Sequence, residues 1–210
     1  MCVCLTKITI FVTIHKEVVI MKSEIECRLL ECDVDDLVFK LKENNAEFVG
    51  DWLQVRNCYD FNPVRKNSWI RLRTNGVETT LTIKEIASTD IDGTKECEIV
   101  VSDFNTTNEI LERLGYSARS RQENRRIRFV LDGVEIDIDF WPMIPTYVEF
   151  EAEDVLSIQR VCDRLGLDMS KMTTMDVSSI YQHYGYDLSK MPMIELEQER
   201  KQQENNEFVI

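Results

Sequence analysis

Glycine and proline are scarce in this chain, 7 and 4 of 210 residues. That excludes collagen-like and Gly/Pro-rich low-complexity architectures and leaves few residues for turns. Positive charge is in deficit: 25 Lys+Arg stand against 38 Asp+Glu, a net charge of −13. A net anion of this size is a poor non-specific binder of nucleic acid or of an anionic membrane, so neither is expected as a partner. The 7 cysteines, at 2, 4, 27, 32, 58, 97 and 162, contain no C-x-x-C pair. Their scatter excludes a zinc ribbon, argues against a secreted disulfide framework and fits a reducing, cytoplasmic setting. Cys2 and Cys4, with only His15 nearby, do not make a metal site. The apolar run Ile8 to Ile14 is too short to cross a bilayer, and only Lys7 precedes it, with no A-x-A cleavage site after it. A P-loop, a nucleophile elbow and a dinucleotide glycine motif are also missing.

Hydrophobic residues at 43% and charged residues at 30% belong to a soluble chain with its own core. Met21 opens MKSEIECRLLECD, which reads as the start of a domain. Residues 1–20 are expected to be an extension outside the fold; the alternative is an extra edge strand, because TKITIFVTI is rich in β-branched residues. Residues 21–190 are expected as the domain and 191–210 as a polar tail, Glu/Gln-rich over 194–205, forming a solvated helix or a frayed end.

Period-two alternation predicts strands near 22–30, 52–61, 68–74, 79–86, 95–102, 124–132, 134–140 and 146–152. Helical patterns fall at 34–45 after Asp33, 106–114 after Asn105, 153–165 before Gly166 and 174–184 before Gly185. Asn75-Gly76 and Asp132-Gly133 are hairpin turns, so the sheet is mostly antiparallel.

The polar side of each strand carries a comb of charge, because residues i and i+2 share a face. The acids are Glu24, Glu26, Glu96, Glu98, Glu135, Asp137, Asp139, Glu149 and Glu151; the bases are Arg28, Arg71, Arg73, Lys84, Arg126 and Arg128. For one strand, a solvated outer face explains such a comb. Across seven strands, arginine pairs and acid pairs segregate by strand, and the apolar faces match the helix stripes. Helices outside and charges inside imply a closed sheet with a charged lumen, which persists only if the charges are paired or liganded. Bases of this kind hold phosphate oxygens, and acids hold hard divalent ions that bridge to those oxygens. The implied ligand is a polyphosphate chain with Mg²⁺ or Mn²⁺.

At these residues the chain closely resembles the CYTH superfamily, the triphosphate tunnel metalloenzymes, which includes class IV adenylyl cyclases, thiamine triphosphatases and inorganic triphosphatases. The family's E-x-E-x-K stands here as EIECR, Glu24 to Arg28, and the resemblance continues through WIRLR (69–73), TLTIKE (80–85), ECEIVVSD (96–103), RRIRF (125–129) and VEIDIDFWPMIPTYVEFE (134–151). It covers about residues 21–190. It implies an α+β fold, an antiparallel eight-stranded closed β-tunnel wrapped by helices. It implies metal ligands Glu24, Glu26, Asp137, Glu149 and Glu151, and a triphosphate clamp of Arg28, Arg71, Arg73, Lys84, Arg126 and Arg128. Glu24, Glu26, Lys84 and Glu98 are carried over as the residues nearest the chemistry, Glu98 without an assigned role. Arg28 departs from the family's Lys; it keeps the charge but cannot surrender a proton.

Three activities fit this reading. A phosphohydrolase acting on tripolyphosphate or thiamine triphosphate asks least of the site and is the expected one. A class IV adenylyl cyclase converting ATP to cyclic AMP and pyrophosphate needs a base pocket as well. A non-catalytic polyphosphate- or nucleotide-binding module could dispense with part of the acid set. Tyr59, Phe61, Trp141 and Tyr147 are expected to pack in the core or rim rather than stack on a base, and His183 to be a surface or packing residue. The chain is expected as a monomer or homodimer.

Overall fold

A computed structural model describes residues 21–196. The expected N-terminal extension, and the tail from residue 197 onward, lie outside the described residues.

The strands are β1 (Lys22–Leu30), β2 (Glu47–Asp60), β3 (Ser68–Thr74), β4 (Thr79–Ile86), β5 (Thr94–Val101), β6 (Ala118–Leu131), β7 (Val134–Phe140), β8 (Tyr147–Ala152) and β9 (Met193–Ile194). The helices are α1 (Val34–Glu43), α2 (Phe104–Arg113), α3 (Val155–Leu165) and α4 (Val177–His183). Eight antiparallel strands run in the order β2-β3-β4-β5-β1-β8-β7-β6, and β2 pairs with β6 to close the barrel. Turn chemistry fixes the hairpins. Asn75 Oδ1 accepts from the amides of Val77 and Glu78 at 3.0 and 2.7 Å, with Gly76 at φ 84°. Asp132 and Gly133, both at positive φ, make the two-residue turn from β6 to β7.

The seam between β1 and β5 is short, three residue pairs from Lys22↔Glu96 to Glu24↔Thr94. Beyond it other segments satisfy the β1 edge. The Glu26 amide donates to the Ile91 carbonyl at 3.1 Å, and Arg28 and Thr173 exchange backbone hydrogen bonds at 2.8 Å. The chain after α3 therefore completes the wall that β5 leaves unpaired. It then runs through α4 to β9, which adds parallel to β6 at Arg121 and Gln122. The sheet thus continues past residue 190, and Met193–Ile194, inside the expected polar tail, are strand.

Two strands begin earlier than their alternation predicts, β2 at Glu47 and β6 at Ala118. The early part of β6, ARSRQEN, carries polar residues on both faces, so it has no apolar period. Its long ladder with β2, from Tyr59↔Ala118 to Glu47↔Val130, fixes it instead. Helix α2 is capped by Asp103, not by Asn105, and begins at Phe104. The Asp103 carboxylate accepts from the Thr106 amide at 2.6 Å and adds favourable charge at the helix N-terminus.

The apolar parity of β1, β6, β7 and β8 faces outward. There Cys27, Phe129, Ile136, Ile138, Val148 and Phe150 meet Leu37 and Leu41 of α1 and Ile158, Val161, Cys162 and Leu165 of α3. Each fully buried side chain of this size contributes roughly 1.5–3 kcal/mol relative to exposure. A smaller cluster places α2 on β2 and β3 through Leu111, Tyr59, Ile70 and Leu72. Packing the apolar faces outward leaves the opposite parity of every strand for the lumen.

Candidate functional site

The lumen is a cavity of about 520 Å³ whose lining includes Glu24, Glu26, Arg28, Arg71, Arg73, Lys84, Glu96, Glu98, Arg126, Arg128, Glu135, Glu149 and Glu151. Of the acids and bases expected to face inward, Asp137 and Asp139 do not line it. They sit behind the arginines of β6, at 3% and 0% exposure.

One wall is acidic. Glu24 and Glu26 lie two residues apart on β1, and Glu151 on β8 is the register partner of Glu26. One oxygen from each of the three carboxylates falls within 4.8 Å of the others. Burial raises the pKa of Glu24 and Glu26; for Glu26 the nearby Glu149 carboxylate adds to it. Burial, then the charges of Glu149 and Glu24, push Glu151 up to about 8. Three crowded carboxylates of this kind are a hard-oxygen donor set. Lys84 on β4 meets the set from the side, with Nζ 2.8 and 2.7 Å from the two oxygens of Glu24 and 3.5 Å from Glu96.

The other two carboxylates expected with this group, Asp137 and Glu149, are held by guanidinium groups. Arg28 Nη2 is 2.5 Å from Glu149 and 2.9 Å from Glu26, and Arg28 Nη1 donates to the Met175 carbonyl at 2.9 Å. Arg126 donates to Asp139 through Nε at 2.9 Å and through Nη2, to Asp137 through Nη1, and to Glu149 at 3.3 Å. Arg128 donates to Asp137 at 2.7 and 2.6 Å and meets Glu135 at 2.6 Å. Burial alone would raise the Glu149 pKa, but Arg28 and Arg126 hold it well below the usual carboxylate range. Burial opposes the charge of Arg126, yet Asp137 and Asp139 hold its pKa well above the ordinary value.

The opposite wall, from β2 and β3, is basic and under-compensated. Arg71 reaches Glu98 at 3.3 Å, and Thr82 donates to the same carboxylate at 2.5 Å. Burial would raise the Glu98 pKa; the Thr82 hydrogen bond and Arg71 bring it below the usual value. The Arg73 side chain has no hydrogen bond or ion pair among the described residues. Burial, then Arg71, Arg126 and Arg56, drive its pKa well below the ordinary arginine value. Such a group is stabilised by an incoming anion.

Sequence reading passed over Arg56. It is 6% exposed, donates to Gln54 Oε1 at 3.0 Å and to Asn124 Oδ1, and lies 4.6 Å over the Trp141 ring. Burial, then Arg71 and Arg126, bring its pKa to about 10. The signal was present: Gln54, Arg56, Cys58 and Asp60 alternate along WLQVRNCYD. Trp69 was also passed over. It shares parity with Arg71 and Arg73 and lines the cavity. Asp176 and Ser178, in the stretch expected as a helix, and Ser189 after it also line the cavity, and none of them belongs to a strand comb. Tyr59, Trp141 and Tyr147 are buried in apolar clusters, and His183 is exposed at the end of α4.

The family model described as the CYTH domain matches residues 22–158. No curated protein matches the chain. Among solved structures, a conserved hypothetical protein from Pyrococcus furiosus is 23% identical with a TM-score of 0.64, covering 75% of this chain and 99% of its own. A candidate adenylate cyclase from Vibrio parahaemolyticus is 15% identical with a TM-score of 0.64, covering 77% of this chain and 99% of its own. A candidate adenylyl cyclase from Hippeastrum, described as having a dominant triphosphatase activity, is 12% identical with a TM-score of 0.53, covering 81% of this chain and 99% of its own. At these identities the structures share the fold. No helix among the described residues is long and apolar enough to cross a membrane.

Proposed function

The chain belongs to the CYTH domain family, and from that premise we propose that it is a divalent-metal-dependent phosphohydrolase acting on substrates that carry a triphosphate group, inorganic or organic. The observation that carries this reading is the polarity of the lumen. A three-carboxylate cluster of Glu24, Glu26 and Glu151 faces an under-compensated wall of Arg56, Arg71 and Arg73 across one cavity.

The donor set fits Mg²⁺ or Mn²⁺, which take carboxylate oxygens and keep several waters. Burial, then the neighbouring carboxylates, push Glu151 up to about 8, and a cation at that point offsets both. Bound there, such an ion supplies charge neutralisation at phosphate oxygens and a more acidic water. The protein's own groups do the rest. Arg71 and Arg73 hold the anionic chain, and Glu98, fixed by Thr82, orients Arg71. Lys84 bridges the two walls. It is held by Glu24 in the free protein and is within reach of a phosphoryl oxygen beside that carboxylate. Arg28, Arg126 and Arg128 are engaged by internal carboxylates, and their main contribution is to hold Glu149 ionised and to fix Asp137 in place.

Trp69 favours a second reading. Its indole lines the cavity beside Lys84, its register partner, and offers a stacking face to an organic group on the triphosphate. A cyclase acting on ATP would use that face for the base. Incubating the chain with tripolyphosphate, thiamine triphosphate and ATP, each with Mg²⁺ or Mn²⁺, tests both readings. Orthophosphate as product supports the hydrolase, and cyclic AMP with pyrophosphate supports the cyclase. No turnover of any of the three would remove both.

A further inference from the structure

The larger cavity does not end the lumen. A second cavity of about 190 Å³ lies beyond Arg73 and Arg128, which line both, and its remaining walls include Trp52, Gln54, Asn75 and Thr80. We propose that this smaller cavity is an additional subsite for one phosphoryl group, beyond the triphosphate held in the larger one. The proposal rests on the reading of the larger cavity as a triphosphate site.

The lining is rich in donors that lack acceptors. Thr80 is 5% exposed; among the described residues its hydroxyl has no well-formed hydrogen bond, although it acts at longer range on the Glu98 carboxylate. Gln54, also 5% exposed, accepts from Arg56 through Oε1, and its amide nitrogen donates to nothing among the described residues. Arg73, between the two cavities, has no ionic partner among the described residues. Of these groups the Thr80 hydroxyl is the one that is buried without a well-formed bond; together with the unpaired Gln54 amide and the half-buried Arg73 guanidinium around one small space, it favours a ligand made of acceptor oxygens. A cation does not fit this donor set.

Opposing charges are few. Arg128 is already neutralised by Asp137 and Glu135. Glu78 is the one acid in the lining, and it sits exposed in the β3–β4 turn at the outer mouth. Glu98, the acid nearest Arg73 from β5, is held by Thr82 and Arg71. The rim has a defined shape. At Gly50 an added Cβ would fall 2.0 Å from the Trp52 ring, so the indole lies directly over glycine backbone where β2 bulges against β6.

Two sources carry this chemistry: the fourth unit of a longer linear polyphosphate, or orthophosphate released from the larger cavity. The full chain is titrated calorimetrically with tripolyphosphate, tetrapolyphosphate and orthophosphate. This is done with Mn²⁺ and again with divalent ions chelated, so that binding is read without turnover. The same series is run on Thr80→Val with Gln54→Leu, which removes two donors and keeps the shape, and on Thr80→Val alone in case the double change unfolds the barrel. If the fourth unit is the source, tetrapolyphosphate binds about tenfold more tightly than tripolyphosphate, the return of one charge-assisted hydrogen bond, and the ratio falls toward one in the variants. If released phosphate is the source, orthophosphate adds a second binding event to the tripolyphosphate-saturated protein, and the variants lose it. Equal affinity for the two chains with no added orthophosphate site overturns the proposal, as does a preference that survives in both variants. A tetrapolyphosphate preference without turnover in Mn²⁺ removes the phosphohydrolase reading and leaves this subsite standing. Turnover without the preference removes the subsite alone.

Discussion

Replacing Arg126 with methionine tests whether that arginine is a substrate clamp or part of the scaffold. Arg126 is 6% exposed and donates to Asp139, Asp137 and Glu149. Its three partners do not depend on it equally. Asp137 keeps Arg128, and Glu149 keeps Arg28 at 2.5 Å. Asp139, at 0% exposure, keeps among the described residues only the Asn124 side-chain amide, at 2.8 Å. The cost therefore falls on Asp139, left as a buried charge without a counter-ion, and breaking such a pair costs about 3–5 kcal/mol. For a domain of this length about 2–4 °C of Tm is lost per kcal/mol, so thermal unfolding should move down by about 6–20 °C. The loss should depend on pH. Burial already raises the Asp139 pKa against the pull of Arg126, and removing Arg126 raises it further. A group whose folded pKa lies above its unfolded value contributes stability at low pH and loses it as pH rises through the folded pKa. The variant's deficit should therefore be smaller at pH 5 than at pH 8. Adding Asp139→Asn should recover much of the loss, measured as a double-mutant cycle in urea. A fall of less than about 3 °C, or a loss that Asp139→Asn does not relieve, would refute this assignment and return Arg126 to the clamp.

Glu26→Gln should reduce turnover and Mn²⁺ affinity by about a hundredfold while leaving the metal-free protein as stable or more stable, because it removes one of three crowded carboxylates; near-normal turnover at limiting Mn²⁺ would sink the metal-cluster reading. Glu151, pushed up to about 8 by burial and by Glu149 and Glu24, makes the metal-free protein lose stability as pH rises from about 4 through 8. Glu151→Gln or saturating Mg²⁺ should flatten that slope in thermal scans across pH 5–9, and a wild-type curve that is already flat contradicts it. Gly50→Ala should cost about 1–3 kcal/mol by driving a methyl into the Trp52 ring, read as a shifted urea midpoint with a change in indole fluorescence.

The charge combs were legible because each strand keeps strict parity, and parity survives folding unless a bulge intervenes. The closed barrel followed from the same parity, since apolar faces that match helix stripes must turn outward. What the combs alone left open was which charges cancel. Arg71/Arg73 and Arg126/Arg128 are the same pattern in sequence, and both were assigned to the ligand. In the structure Arg126 and Arg128 stand opposite Asp139 and Asp137 on β7, whereas Arg71 and Arg73 stand opposite Thr82 and Thr80 on β4. Arg126 and Arg128 are consumed by these neighbours, whereas Arg71 has a 3.3 Å contact with Glu98 from β5 and the Arg73 side chain has no ion pair among the described residues. The difference lies in register, and register is set by the turns. Asp132-Gly133 pairs Leu131 with Val134, and counting back from there puts an acid across from Arg128 and from Arg126; the turn at Asn75-Gly76 pairs Thr74 with Thr79, and the same count puts a threonine across from each arginine of β3. Hydroxyls leave a guanidinium its charge, and carboxylates remove it. The free positive charge that a polyanion needs is therefore concentrated on β2 and β3, across the lumen from Glu24, Glu26 and Glu151. On the function proposed above, a metal-bridged phosphate chain is the ligand suited to span those two walls.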